Sequence, residues 1–326
     1  GAIAPVDAGP AFSALADCLL EATLAHVLKA FEAEHGRVAG GRVAVVAMGK
    51  LGSREMTATS DLDLVIVYDF DEAKPDSDGR RSLHAVQYYT RLTQRLISAL
   101  TVATRRGPLY DVDMRLRPSG KQGPVAVRLS SFVQYQREEA ETWEKMALSR
   151  ARPVCGDESL LGDLGKAIGG SLSERRDVRT VARDIREMRD LIAKEKGDKD
   201  CADLKLYRGG LLDVEFVAQF LALANAADHR EILAVGTADI LRRAASAGLL
   251  AVGDAEALLA AHRLYTDVVQ MQRILLPLDM KPDEAPAGVR RRIATSAGLP
   301  DEKQLNAEIA ERATAVAAIF RRLLAA

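Results

Sequence analysis

The stretch GKLGSREMTATSDLDLVIVYD, Gly49 to Asp69, sets two aspartates, Asp61 and Asp63, at the head of an oily run. DLDLVIVYD, Asp61 to Asp69, is rich in β-branched and apolar residues and reads as a strand. On a strand, side chains two apart share a face and lie about 6.5–7 Å from each other. Asp61 and Asp63 therefore point one way, and Leu62, Leu64 and Ile66 the other. A generic D-x-D also fits the wet face of a half-buried strand. Val65 and Val67 weigh against that here, because they continue the aspartates' own face and are apolar. The carboxylates are then expected at one end of a strand buried on both sides. Charges in such a place need partners, and two oxygen ligands aimed at one point suit Mg²⁺, which also binds substrate phosphates.

A second acidic pair lies downstream. YDVDMRLRP holds Asp111 and Asp113 two apart, with Arg115 and Arg117 continuing the same alternation. If this is a strand, the row offers a third metal ligand and then phosphate-binding charge. Gly52 and Ser53 precede a short segment that the spacing allows to open a helix. Glycine admits close approach of a phosphate, serine donates a hydrogen bond, and a helix N-terminus favours an anion. Lys50 flanks this turn and can either reach a phosphate or stand in solvent. The turn is neither a Walker A motif, since no G-K-[ST] follows, nor a dinucleotide fingerprint, since G-x-G-x-x-G is absent.

Around these motifs the chain is segregated. Apolar spacing predicts a helix from Phe12 to Ala33, a strand over Val43–Ala47, a loop near Pro75 and Gly79, and a helix over Ser82–Ala103. GPLYDVDMRLRPSG predicts a third strand and PVAVRL a fourth. After Ser130 strand signals stop. Helices are expected over Ser173–Glu195, Leu212–Ala226, Ala238–Ala247 and Asp254–Leu276. The fold class is α+β: a small mixed sheet with flanking helices over 1–155, then an all-helical bundle domain over 156–326.

Composition narrows the function. The net charge of −1 gives no bulk pull toward nucleic acid or anionic membrane, and 5% aromatics leave little for base stacking. Cys18, Cys155 and Cys201 are sparse and lack zinc spacing. No signal peptide and no apolar run of membrane-span length is read, so the expected location is the cytoplasm, without nucleic-acid or membrane partners. The opening GAIAPVDAGP, without methionine, reads as a fragment of something longer.

Strand, Gly-Ser, short helix, D-x-D on the next strand and a third aspartate on a later one together resemble the nucleotidyltransferase superfamily, with its DNA polymerase β-like fold. In order along the chain, GKLGS…TSDLDLVIVYD, YDVDMRLRPSG, YQREEAETWEKMALSRARPVCGD and ADLKLYRGGLLDVEFVAQFLAL resemble glutamine synthetase adenylyltransferase. The resemblance covers most of residues 42 to 225. It implies Asp61, Asp63 and Asp113 as catalytic metal ligands for Mg²⁺, two ions with ATP as substrate. Gly52, Ser53, Lys50, Arg115 and Arg117 are the nucleotide- or phosphate-binding candidates. SREMTA departs from the family's Gly-Trp-Glu-Leu-like version of the cradle. LRPSG and EAETWEKMAL resemble the adenylylating rather than the AMP-removing type. The implied activity is transfer of AMP from ATP to a tyrosine of glutamine synthetase, releasing pyrophosphate, with glutamine and the PII signal protein as effectors. The related deadenylylating, phosphorolytic domain and a catalytically silent glutamine- or PII-sensing module are the alternatives.

The remaining features read structurally. Asp213 and Glu215 fall in the first turn of a helix, where i and i+2 do not face each other. Trp143 reads as core, and Glu139 and Glu144 as partners for Arg115, Arg150 or Arg152. The acidic loop Asp69–Asp78 reads as solvated. The arginines of 175–189 read as a salt-bridged outer face, Arg183 and Arg186 among them as rim contacts for a docked protein.

Overall fold

The computed structural model describes residues 4–105, 107–198, 203–277 and 279–325; Cys201 lies outside them. The chain divides into two compact units. One comprises Ser13–Glu55 and Ser60–Ser171; the other comprises Leu172–Ala326 with the short stretches Gly1–Phe12 and Met56–Thr59.

The first unit is built on a five-stranded mixed sheet of β1 (Arg42–Ala47), β2 (Leu62–Asp69), β3 (Val112–Asp113), β4 (Ala126–Arg128) and β5 (Arg152–Gly156). The order is β3-β2-β1-β5, with β4 also on β2. β1 runs antiparallel to β2 and to β5; β3 and β4 run parallel to β2. One edge of β2 is thus shared: Leu62 and Asp63 pair with β3, and Ile66 to Tyr68 with β4. Leu62, Leu64, Val65, Ile66 and Val67 are all buried, so β2 is covered on both faces, as Val65 and Val67 imply.

Two strands differ from expectation. β3 holds only two residues because Met114 to Gly123 leaves the ladder for a turn, so Arg115 and Arg117 do not continue a strand face. β5 lies in a tract with no recognised strand signal. Pro153 and the bulge at Val45/Val46 break its alternation, and its pairing partner β1 is more than 100 residues away. The flanking helices of this unit are α1 (Pro5–His35), the one-turn α2 (Gly49–Gly52), α3 (Ala85–Thr101), α4 (Leu129–Glu138), α5 (Thr142–Leu148) and α6 (Glu158–Leu172).

Helix α1 begins earlier than its apolar spacing indicates and revises another expectation. By length and composition it is long and apolar enough to cross a membrane. Its buried residues Ala16, Leu20, Leu24, Val27 and Phe31 recur at three- and four-residue intervals, the pattern of a helix that covers a core with one face. Phe31 meets Tyr88 edge to face with ring centres 4.8 Å apart. Trp143 is also not core: it is 42% exposed. It stands in the first turn of α5, whose inward face is taken by Lys145, Met146 and Leu148, and its indole Nε1 donates to Glu141. The loop after β2 is more than solvated: Asp69 pairs with Arg42 and Arg128, and Asp78 accepts from the Arg37 backbone.

The second unit is helical: α7 (Val178–Lys196), α8 (Leu211–Asn225), α9 (Thr237–Ser246), α10 (Val252–Leu275), α11 (Ala287–Ser296) and α12 (Glu302–Leu323). Helix α8 is buried nearly all round, the pattern of a central helix. Asp213 in its first turn accepts from the Gly209 backbone and from Arg189 of α7, and both side chains are fully buried. The structural reading of Asp213 holds. Arg189, by contrast, leaves the outer face expected of its neighbours. Arg189→Met strands the Asp213 carboxylate in the core. It should cost about 3–5 kcal/mol, measured by urea unfolding followed with far-UV circular dichroism. A loss below about 1 kcal/mol would mean that the carboxylate finds water or another donor.

Candidate active site

The β2–β3 register sets Asp63 directly beside Asp113 on parallel strands, and Asp61 precedes Asp63 by two residues. One carboxylate oxygen from each of Asp61, Asp63 and Asp113 comes within 4.8 Å of the others. Asp111 is outside this group. It sits just before β3, where its carbonyl accepts from the Leu62 backbone. The three aspartates suit a hard divalent cation. They supply only oxygen and leave coordination positions open, the donor set Mg²⁺ uses when it also holds phosphates.

The electrostatics show how unbalanced the group is alone. Burial, then the charges of Asp61 and Asp113, push the Asp63 carboxyl up to about 6; Arg150 and Arg115 pull the other way. Asp113 moves down, held by the Arg115 guanidinium (Nε to Oδ2, 2.7 Å) and the Arg115 backbone N–H (2.8 Å to Oδ1). Behind Asp63 the chain leaves no room. Gly49 has φ of +51°, and a Cβ there would stand 2.1 Å from Asp63 Oδ2, so only glycine lets α2 pass so close to the carboxylate.

The cradle differs in detail from its sequence reading. Gly52 and Ser53 end a helix rather than open one: α2 spans Gly49–Gly52 and Ser53 is its C-cap, with its N–H bonded to Gly49 O and Leu51 O. The Ser53 hydroxyl is buried, donates back to Gly49 O and accepts from Arg150 Nη2 at 2.8 Å. Gly52 is glycine because the chain packs there, since a Cβ would fall 2.0 Å from Arg150 O. Lys50 lies in α2, half-buried. Arg117 donates to the carbonyls of Met114, Gly123 and Pro124 and so ties the turn after β3 together, whereas Arg115 is largely exposed beyond its bond to Asp113.

Two arginines take roles that the sequence reading did not give them. Arg150 bridges Ser53 and Glu55 (3.0 Å) and lies close enough to Asp63 to favour its ionised form. Arg152 forks onto both oxygens of Asp17 at 2.9 Å and donates to the carbonyls of Leu51 and Gly52, taking up the end of α2. The signal was the pair of arginines two apart in SRARPV, both leading into apolar sequence. Glu139 and Glu144 were expected as their partners, but Glu144 instead accepts from Tyr135 and closes the α5 capping box.

Asp63 on the two-sided strand β2, Asp113 beside it on the parallel strand β3, Asp61 just ahead of β2 and a glycine turn packed against Asp63 define a nucleotidyltransferase-like domain. A family model described as glutamate-ammonia ligase adenylyltransferase matches residues 3–164. A model described as GlnD PII-uridylyltransferase matches residues 182–324. A bifunctional glutamine synthetase adenylyltransferase/adenylyl-removing enzyme of Rhizobium meliloti is 46% identical over 100% of this chain and 33% of its own length. Enzymes of the same description from Rhodopseudomonas palustris and Xanthobacter autotrophicus are also 46% identical, each over 99% of this chain and 33% of their length. The chain belongs to the glutamine synthetase adenylyltransferase family, and it spans about a third of the length of the curated relatives it matches.

The raised Asp63 carboxyl predicts a pH-dependent stability. Unfolded, this group ionises near 4; folded and metal-free, it keeps its proton to about 6. Its ionisation therefore costs stability that develops as pH rises from about 4 through 6 and persists above. Asp63→Asn should stabilise the metal-free protein at pH 8 by up to about 3 kcal/mol and leave it unchanged at pH 4. Melting curves in EDTA at the two pH values test this. A variant less stable than wild type at pH 8 would contradict it.

Proposed function

We propose that this chain is an adenylylating domain that transfers AMP from ATP to a tyrosine hydroxyl of glutamine synthetase and releases pyrophosphate. The observation that carries the reading is the convergence of Asp61, Asp63 and Asp113 at one end of β2. The adenylylating rather than the removing reaction is supported by LRPSG (Leu116–Gly120) and EAETWEKMAL (Glu139–Leu148), which resemble that type. Membership in a family whose curated relatives are named for both activities supports the substrate. In this reading the PII signal protein and glutamine are effectors and the location is cytoplasmic.

Asp61, Asp63 and Asp113 would hold Mg²⁺, which supplies positive charge to the triphosphate and to the leaving pyrophosphate. The protein's own groups do the rest. Arg115, largely exposed while it is bonded to Asp113, is placed to move onto a phosphate. While it stays on Asp113 it keeps that carboxylate a weak base. Once drawn to ATP it frees Asp113 Oδ2 to accept the tyrosine proton as the oxygen attacks the α-phosphorus. Arg150 holds Ser53 and Glu55 in place beside the turn, so the cradle is set before the nucleotide arrives.

The test is label transfer from ATP carrying radioactive α-phosphate to glutamine synthetase in Mg²⁺, with and without added phosphate. The wild-type chain should label its target without phosphate. Asp61→Asn and Asp63→Asn should each lower the rate at least about 100-fold. Asp113→Asn should lower the rate far more than it weakens ATP binding, and Asp111→Asn should stay close to wild type. Phosphate-dependent release of ADP from adenylylated glutamine synthetase, with no labelling, would assign the removing reaction instead.

A further inference from the structure

The helical unit contains a cavity of about 700 Å³ between α7, α12 and the segment leading into α8. Three guanidinium groups from three different elements line it: Arg186 of α7, Arg208 before α8, and Arg321 of α12. Its α12 wall is apolar, with Ala317 and Phe320, and its floor includes Asp213. We propose that this cavity binds a small amphipathic anion, with a carboxylate or phosphate head held by Arg186, Arg208 and Arg321 and an apolar body laid along α12.

The charge count favours an anion. Asp213 is already matched by Arg189, which is fully buried behind it and whose Nη1 has no hydrogen-bond partner among the described residues. Arg208 is shared between Asp190 and Asp198. Counting Arg186, Arg189, Arg208 and Arg321 against Asp190, Asp198 and Asp213 leaves four positive groups facing three negative ones. The excess sits on Arg186 and Arg321, whose described bonds go only to backbone carbonyls: Arg186 Nη1 to Leu324 O at 2.7 Å, and Arg321 Nε to Ala317 O at 3.2 Å. Each guanidinium carries five N–H donors in a planar fork that matches carboxylate and phosphate oxygens. Both therefore keep donors for a ligand while their stems are already anchored.

Size and wall chemistry set the rest of the ligand. A cavity of this volume is in the range of small-molecule sites, which bury an apolar body and fix it with a few polar groups. A bare inorganic ion would leave the Ala317 and Phe320 wall uncovered. The floor is built rather than incidental: a buried ion pair adds little to stability over a well-packed apolar core, so Arg189–Asp213 is better suited to setting the segment that carries Arg208, because Arg189 donates to the Leu206 and Tyr207 carbonyls on one side of it and Asp213 accepts from the Gly209 N–H on the other. The helical unit holds none of Asp61, Asp63 and Asp113, so binding here does not depend on the carboxylate group.

Phenyl phosphate and benzoate, which share a body and differ in the head group, are the probes, with inorganic phosphate as reference. They are titrated calorimetrically into the whole chain. At least one aromatic anion should bind saturably to one site and raise the melting temperature, more tightly than inorganic phosphate. The tighter of the two identifies the head group. Arg321→Gln and Arg186→Gln should each weaken binding about ten-fold or more. Ala317→Trp, which fills the body's place and leaves every charge intact, should abolish binding. Far-UV circular dichroism checks that the variants remain folded. The proposal is overturned if neither aromatic anion binds the wild-type chain, if inorganic phosphate binds as well as both, or if the folded variants bind like wild type.

Discussion

The first unit depends on one unfavourable placement: a carboxylate, Asp63, at the end of a strand that is covered on both faces. Three charges meet there with only part of their countercharge, and burial, together with the charges of Asp61 and Asp113, pushes Asp63 well above its ordinary range. Much of the surrounding structure follows from accommodating that group. Gly49 removes its side chain so that α2 can lie against the carboxylate. Arg115 pairs directly with Asp113 and offsets the charge of Asp63 only in part. Arg150 offsets part of the repulsion from the other side. The remaining deficit is what makes the site a place for a cation rather than a stabilising feature of the fold.

The sheet arranges this economically. β2 shares one edge between two short parallel strands, and the chain leaves that edge between them in the turn from Met114 to Gly123. The break falls just beyond Asp113, so the aspartates open onto the gap rather than being sealed by a continuous ladder. Arg117 ties the turn to its own carbonyls and keeps the gap in one shape. On the far side Arg152, locked to Asp17 of α1, finishes the end of α2. Arg117 and Arg152 thus hold the backbone that flanks the carboxylate group.

The sequence makes the local patterns plain and the long-range ones obscure. β2 and the facing of Asp61 and Asp63 are legible because strand alternation is local, and Val65 and Val67 on the same face carry the inference of two-sided burial. The second acidic pair is legible because Asp111 and Asp113 repeat the same spacing, and the family resemblance singles out Asp113. β5 is not, since a proline and a bulge erase its alternation and only its pairing with β1 makes it a strand. Ser53 is misplaced by one helical turn because Gly-Ser fits either end of a short helix, and the deciding hydrogen bonds are tertiary. Trp143 misleads for a related reason. Its size argues for the core, yet the capping box at Glu141 and Glu144 fixes the phase of α5 and turns the ring outward. Arg189 is hidden among arginines of equal spacing, and only α8 shows which one faces inward.

The central claim is that Asp61, Asp63 and Asp113 form one divalent-cation site. Electron paramagnetic resonance titration with Mn²⁺, a spectroscopic stand-in for Mg²⁺, tests it without glutamine synthetase or any enzymatic assay. The account predicts saturable Mn²⁺ binding at pH 8 that is lost in Asp63→Asn and weakens steeply below about pH 6, where Asp63 holds its proton. Mn²⁺ binding that persists unchanged in Asp63→Asn, or that is indifferent to pH between 8 and 5, would contradict it.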